Sequence, residues 1–267
     1  MDTKSEWGRY APPTSCWPLI ALIKIGLARG KLRKKILHKW KQNFGPITDI
    51  QTSGIKFRLN LDDNVTDGRI LTSHSRYDRS EIKLLESTCK NGVFIDIGAN
   101  VGFYTLALAA TGAKVIAVEP NPKTLARLSY NTALHKFADR ISLLPIGIGE
   151  KGESELFSTG DLGSANIRPN SSGHTESVMI STLPLLDVLT ERNIEKLDGV
   201  KIDIEGMEDR ALIPFFKNAP QSLWPSCAVI EHCNRQYWEN DVIEYMLSNG
   251  YKKVYENRSN AVLQKDK

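Results

Sequence analysis

Four side chains at two segment ends carry the most direct chemistry this sequence can offer: Asp203 and Glu205, then Glu231 and His232. Carboxylates with an imidazole, whose ordinary pKa is about 6.5, suit removal of a proton from a hydroxyl at neutral pH. The run from Val200 to Ile204 reads as a strand, and its period of two puts Asp203 and Glu205 on one side while Ile204 faces a packed layer. Two acids on one strand end repel each other, which favours a site role for both. The same four groups could gather magnesium or manganese. Exposed strand ends often collect acids without binding ions, however, and no metal is expected. Lys201 inside the strand needs a partner such as Asp203, and Glu208 falls where a carboxylate favours a helix N-terminus.

A second constellation concerns binding. Asp96, Ile97, Gly98, Ala99, Asn100, Val101 and Gly102 follow an apolar strand pattern and precede a helical one. Gly98 and Gly102 would remove Cβ atoms that block a ligand from the backbone, and the following helix would point its first amides at an anionic group. Glu119, with Pro120 and Asn121 behind it, ends the next strand 21 residues after Gly98. That is the place for an acid that accepts hydrogen bonds from ribose hydroxyls. An adenosine-containing ligand is implied. The nicotinamide fingerprint G-x-G-x-x-G would need glycine at 100 and 103, where Asn100 and Phe103 stand, so an NAD-dependent oxidoreductase is the weaker alternative. A binding protein without catalysis is the other, and the intact acids argue against it.

These residues must be positioned by a regular scaffold. After Asp78 short β-branched runs alternate with helical patterns, as a parallel sheet covered by helices requires. Strands are predicted at Val93 to Ile97, Lys114 to Val118, Ile141 to Ile146, Val200 to Ile204 and Cys227 to Glu231. Helices are predicted at Val101 to Ala110, Pro122 to His135, Leu183 to Arg192, Glu208 to Asn218 and Glu239 to Asn249. Glu153 to Ile180 reads as an insertion with β patches around 155–157 and 178–180. Within it, the stretch Gly160 to Gly173 reads either as an acceptor lid, with Asn166, Arg168 and His174 as site candidates, or as a mobile loop only. Tyr251 to Gln264 reads as a closing hairpin.

The motifs F-I-D-I-G-A-N-V-G-F-Y-T (Phe94 to Thr105), V-E-P-N (Val118 to Asn121) and K-I-D-I-E-G-M-E (Lys201 to Glu208) resemble the FkbM family of methyltransferases. Tyr77, Asp78 and Glu81, and Gly147, Gly149 and Gly152, are similar to it as well. The likeness covers about Tyr77 to Gln264, although Pro184 stands where the family's T-L-D would have its Asp. The resemblance implies a doubly wound α/β Rossmann-like sheet of seven strands with an antiparallel last strand. It also implies S-adenosyl-L-methionine as donor, and O-methylation of a hydroxyl on a sugar, glycan, polyketide or related metabolite. Displacement at a sulfonium methyl asks the protein for alignment at about 3 Å and for removal of the acceptor's proton. That gives Asp203, Glu205, Glu231 and His232 their expected work. The expected cofactor contacts are Asp96, Gly98, Ala99, Asn100, Gly102, Glu119, Pro120 and Asn121.

The remaining 76 N-terminal residues differ in character, giving an expected division into 1–76 and 77–267. The chain carries a formal charge of +4, but residues 1–45 alone hold +8. Residues 1–15 read as an irregular or mobile lead-in, Trp17 to Trp40 as a helix weakened by Gly26 and Gly30, and Ile47 to Leu61 as a small β element. The plain reading of the basic arm is a solvated helix with its apolar face on the domain. The sharper one is peripheral contact of residues 17–41 with an anionic membrane, and nucleic acid is not expected. Four scattered cysteines without a C-x-x-C pair fit a reducing cytoplasm. No run suffices for a membrane span or a secretory signal.

Overall fold

Alternation along the central strands decides the architecture. The computed structural model describes residues 1–73, 76–158 and 176–266. In β3 (Val93–Ile97), Phe94 enters one apolar core while Ile95 and Ile97 enter another; in β4 (Lys114–Val118), Val115 and Ala117 part from Ile116 and Val118 in the same way. A strand apolar on both sides belongs inside a sheet covered on both faces. The remaining strands of that sheet are β5 (Ile141–Leu144), β9 (Gly199–Ile202), β10 (Cys227–Glu231), β11 (Tyr251–Glu256) and β12 (Asn260–Lys265). Their order is β11-β12-β10-β9-β3-β4-β5, with β12 antiparallel to β10 and the pairs from β10 through β5 parallel.

The chain leaves β3 toward β4 and β5 and later returns to place β9 on the other side of β3. A crevice therefore opens beyond the carboxyl ends of β3 and β9, the switch point where open α/β sheets bind ligands. One face is covered by α4 (Arg79–Cys89), α5 (Phe103–Ala110) and α6 (Pro122–Ala133), the other by α7 (Leu185–Glu191), α8 (Glu208–Asn218) and α9 (Val242–Leu247). The inserted segment forms a small sheet of β6 (Gly147–Ile148), β7 (Gly152–Ser158) and β8 (Glu176–Leu183). The expected lid, with Asn166, Arg168 and His174, lies outside the described residues.

The N-terminal part differs from its sequence reading in two ways. The single helix is two, α1 (Trp17–Lys24) and α2 (Gly30–Phe44), because Gly26 adopts a left-handed φ of 82° between them. The lead-in is tied down rather than loose: buried Arg58 donates to the carbonyls of Ser5 and Glu6, and Asp49 accepts the amides of Gly8 and Tyr10. Arg58 and Asp49 themselves form a fully buried fork at 2.7 and 2.8 Å. They sit on the hairpin of β1 (Ile47–Thr52) and β2 (Ile55–Asn60), which α3 (Val65–Ser73) follows. Cys16, Ile23, Ile36, Trp40 and Phe57 belong to the same apolar cluster as Phe94 and Val229, so the first 76 residues share a core with the sheet.

Candidate active site

A cavity of about 480 Å³ fills the switch-point crevice, walled by the turn after β3, the turn after β9, the end of β10 and the β11–β12 turn. Gly98, Ala99 and Asn100 line it. Gly98 has φ 77°, and a Cβ there would meet the Asp203 carbonyl oxygen at 2.0 Å; a Cβ on Gly102 would meet Leu128 at 2.6 Å. Close packing inside the protein thus requires both glycines, and Gly98 also lies on the cavity wall. Asp96 is buried beneath the turn, where its Oδ2 accepts the amide and hydroxyl of Thr105 and fastens α5 to β3.

Glu119 directly follows β4 with both oxygens turned inward, Oε2 accepting the Asn100 amide and Oε1 the Asn121 amide, each at 2.9 Å. Burial pushes its carboxyl up to about 7 despite those two donors. Each oxygen retains acceptor capacity, and ribose hydroxyls donating there would offset the desolvation. Asn121 also caps α6 by accepting the Lys123 amide, whereas Pro120, Asn121 and Glu119 stand apart from the cavity wall. Glu119 is therefore connected to the cavity through Asn100, which lines the wall while its amide donates to the carboxylate.

Three expected acids converge on the same cavity: Asp203, Glu205 and Glu231. β9 stops at Ile202, so the first two lie in the turn beyond it. Lys201 is buried, donates to the Gly98 carbonyl at 3.1 Å and lies 3.4 Å from Asp203, the partner its position demanded. Burial alone would lower the Lys201 ammonium, but Asp203 and Asp96 outweigh it and keep it charged. Glu205 has φ 57°, is held by the Asn234 side-chain amide at 2.9 Å, and is pushed up to about 8 by burial, then by the charges of Asp203 and Glu231. Glu231 is raised to about 7 by burial and Asp203, and its Oε2 is buried with no hydrogen-bond partner among the described residues.

Glu208 plays a different part from the expected helix-end charge. Fully buried, its Oε1 accepts the Ile204 and Gly206 amides and its Oε2 the Trp238 indole, so it braces the turn that carries Glu205. His232 is at the end of β10, but its imidazole faces Glu256 at 3.7 Å and is not on the cavity wall. Asp78 is a wall residue that the sequence shows only through family resemblance. It takes the Tyr104 hydroxyl at 3.0 Å and is raised to about 6 by burial and Glu81. Asn234, Asn257 and Asn260 also line the cavity without any advance signal, since isolated asparagines have no period or spacing. Among the described residues, no three His, Cys, Asp or Glu side chains converge as a metal cage.

Sheet order, glycine turn and strand-end glutamate are together those of an S-adenosylmethionine-dependent methyltransferase. The model of the methyltransferase FkbM domain matches residues 96–253, more than half of the sequence, and the chain belongs to that family. The hexuronic acid methyltransferase AglP of Haloferax volcanii is 30% identical over 137 residues, 47% of this chain and 50% of that protein. The chain thus matches about half the length of this relative. Among solved structures, the SAM-dependent methyltransferase from Agrobacterium tumefaciens aligns at 10% identity over 83% of this chain and 70% of that one, with a TM-score of 0.47. Cofactor-bound Rv0187 from MTB aligns at 15% identity over 71% and 79%, with a TM-score of 0.43.

Proposed function

We propose that the chain methylates a hydroxyl oxygen of a sugar or sugar acid, with the carboxyl pair Glu205 and Glu231 taking the hydroxyl's proton. The supporting observation is that Oε2 of Glu231, buried at the cavity wall beside a second carboxyl of raised pKa, has no hydrogen-bond partner among the described residues. A carboxylate with a proton affinity near neutrality is suited to general-base work. S-adenosylmethionine supplies an electrophilic methyl group on a sulfonium. Lys201 neutralises Asp203 and anchors the Gly98 carbonyl, so the donor turn and the acid turn are held at a fixed separation. Glu208 braces the backbone on both sides of Glu205, and Asn234 holds its carboxyl. The pair titrates as a coupled unit, and activity should rise as pH passes from about 7 to 8. The hexuronic acid relative supports the sugar-acid class of acceptor.

The test is transfer of labelled methyl from S-adenosylmethionine to uronic-acid-containing glycans, read by mass spectrometry. Glu205→Gln should lower turnover about a hundredfold or more while leaving S-adenosylhomocysteine affinity within about twofold. A methylated nitrogen or carbon in the product, or full activity in Glu205→Gln, would overturn the proposal.

A further inference from the structure

The two-helix corner formed by α1 and α2 keeps its packing face and its solvent face distinct. Ile23, Ile36 and Trp40 are in the core. Outside stand Trp17, 61% exposed, Ile25, 68%, Leu27, 53%, and Leu32, 38%. These are four of the eight large apolar side chains exposed among the described residues, and they fall within 16 consecutive positions. Isolated exposed apolar residues need no explanation, but a local concentration does.

Charge sharpens the reading. From residue 7 to residue 48 there is no Asp or Glu and there are nine Lys or Arg. Lys24, Arg29, Lys31, Lys34 and Lys35 are all exposed, and Lys24 lies over the Trp17 ring at 5.5 Å. The corner is held in shape by Arg76, which donates to the carbonyls of Ile23 and Lys24 at the end of α1. Tryptophan and aliphatic side chains ringed by cations match an interface of acyl chains beneath anionic headgroups. Nucleic acid would use the cations but would leave Ile25, Leu27 and Leu32 in water.

We propose that this corner docks on the surface of an anionic lipid bilayer. A groove of about 370 Å³ beside it, lined by Arg33, Lys34, Asp62 and Asp63, shares Val65 and Arg69 with the active-site cavity. Docking places the cavity mouth beside the membrane, where an acceptor carried on a lipid can enter. That last step rests on the function proposed above; the docking does not.

Co-sedimentation of the full chain with vesicles tests it. Vesicles of phosphatidylcholine mixed with phosphatidylglycerol should pellet the protein, vesicles of phosphatidylcholine alone should not, and salt should weaken the binding. Lys31→Ala, Lys34→Ala and Lys35→Ala should each weaken binding about fivefold. Ile25→Ser with Leu27→Ser should weaken it too without changing charge. All five positions are exposed, so S-adenosylhomocysteine binding, read by calorimetry, should be unchanged and serves as the folding control. Equal sedimentation with both vesicle types would overturn the proposal. So would an unaffected Ile25→Ser/Leu27→Ser variant, or an RNA oligonucleotide that outcompetes the vesicles. Vesicle binding without methyl transfer to sugar hydroxyls would instead remove the function proposed above and leave the docking standing.

Discussion

Replacing Glu231 by Gln should make the protein more stable and less active, and the stability gain should depend on pH. The ordinary carboxyl value of 4.5 rises to about 7 in the folded chain, chiefly through burial. Each tenfold change in proton affinity corresponds to about 1.4 kcal/mol, so ionising Glu231 in place costs the fold at most about 3 kcal/mol. Below pH 4.5 the group is protonated in folded and unfolded chains alike and costs nothing. As pH rises toward 7 the unfolded chain gives up the proton first, the folded chain holds more protons, and stability falls. Above about 7 the loss is complete. Glutamine has no such transition, and its Oε1 can keep the Cys233 amide that Glu231 accepts. Urea unfolding of wild type and Glu231→Gln at pH 4.5, 6 and 8 should therefore give a gap that opens from near zero to about 3 kcal/mol. Turnover at pH 8 should fall about a hundredfold or more. A stability difference that stays constant across pH, or a variant less stable than wild type at pH 8, would refute the claim that a buried charge at Glu231 strains the fold.

Other substitutions probe the frame around the site. Gly98→Ala would drive a methyl group into the Asp203 carbonyl at a left-handed φ, and should cost several kcal/mol, about 2 or more, seen as a lowered urea midpoint. Arg58→Met leaves Asp49 charged and buried and should cost about 3 to 5 kcal/mol; Arg58→Met with Asp49→Leu should recover part of it. His232→Gln should keep turnover within about twofold, because the imidazole faces Glu256 and not the cavity; a hundredfold loss would restore His232 as a catalytic candidate.

The strands that build the crevice were legible because burial on both faces leaves continuous β-branched runs. Val93–Ile97, Lys114–Val118 and Cys227–Glu231 coincide with the sequence reading residue for residue. The ends of elements were less so: β9 stops at Ile202 because the Glu208 carboxylate captures the next turn's amides, a contact between two elements that no local pattern encodes. In α9 the start moves to Val242, since Asp241 caps the Ile243 and Glu244 amides. The same limit applies to the site. Strand-end position identified Asp203, Glu205 and Glu231, but side-chain direction divides Glu231 from its neighbour His232, and direction depends on what the β11–β12 hairpin brings alongside. The N-terminal residues looked mobile by composition because the group that fixes them, Arg58, is more than forty positions away.

Asp78, Asn100 and Glu205 come from three separate turns, all adopt left-handed backbone angles, and all face one cavity. Glycine would relax each of them, by about 1 kcal/mol or more. A library sorted only for heat resistance should therefore drift toward glycine at these positions and discard the very groups that line the cavity, so selection for durability in this fold needs a catalytic screen run alongside it.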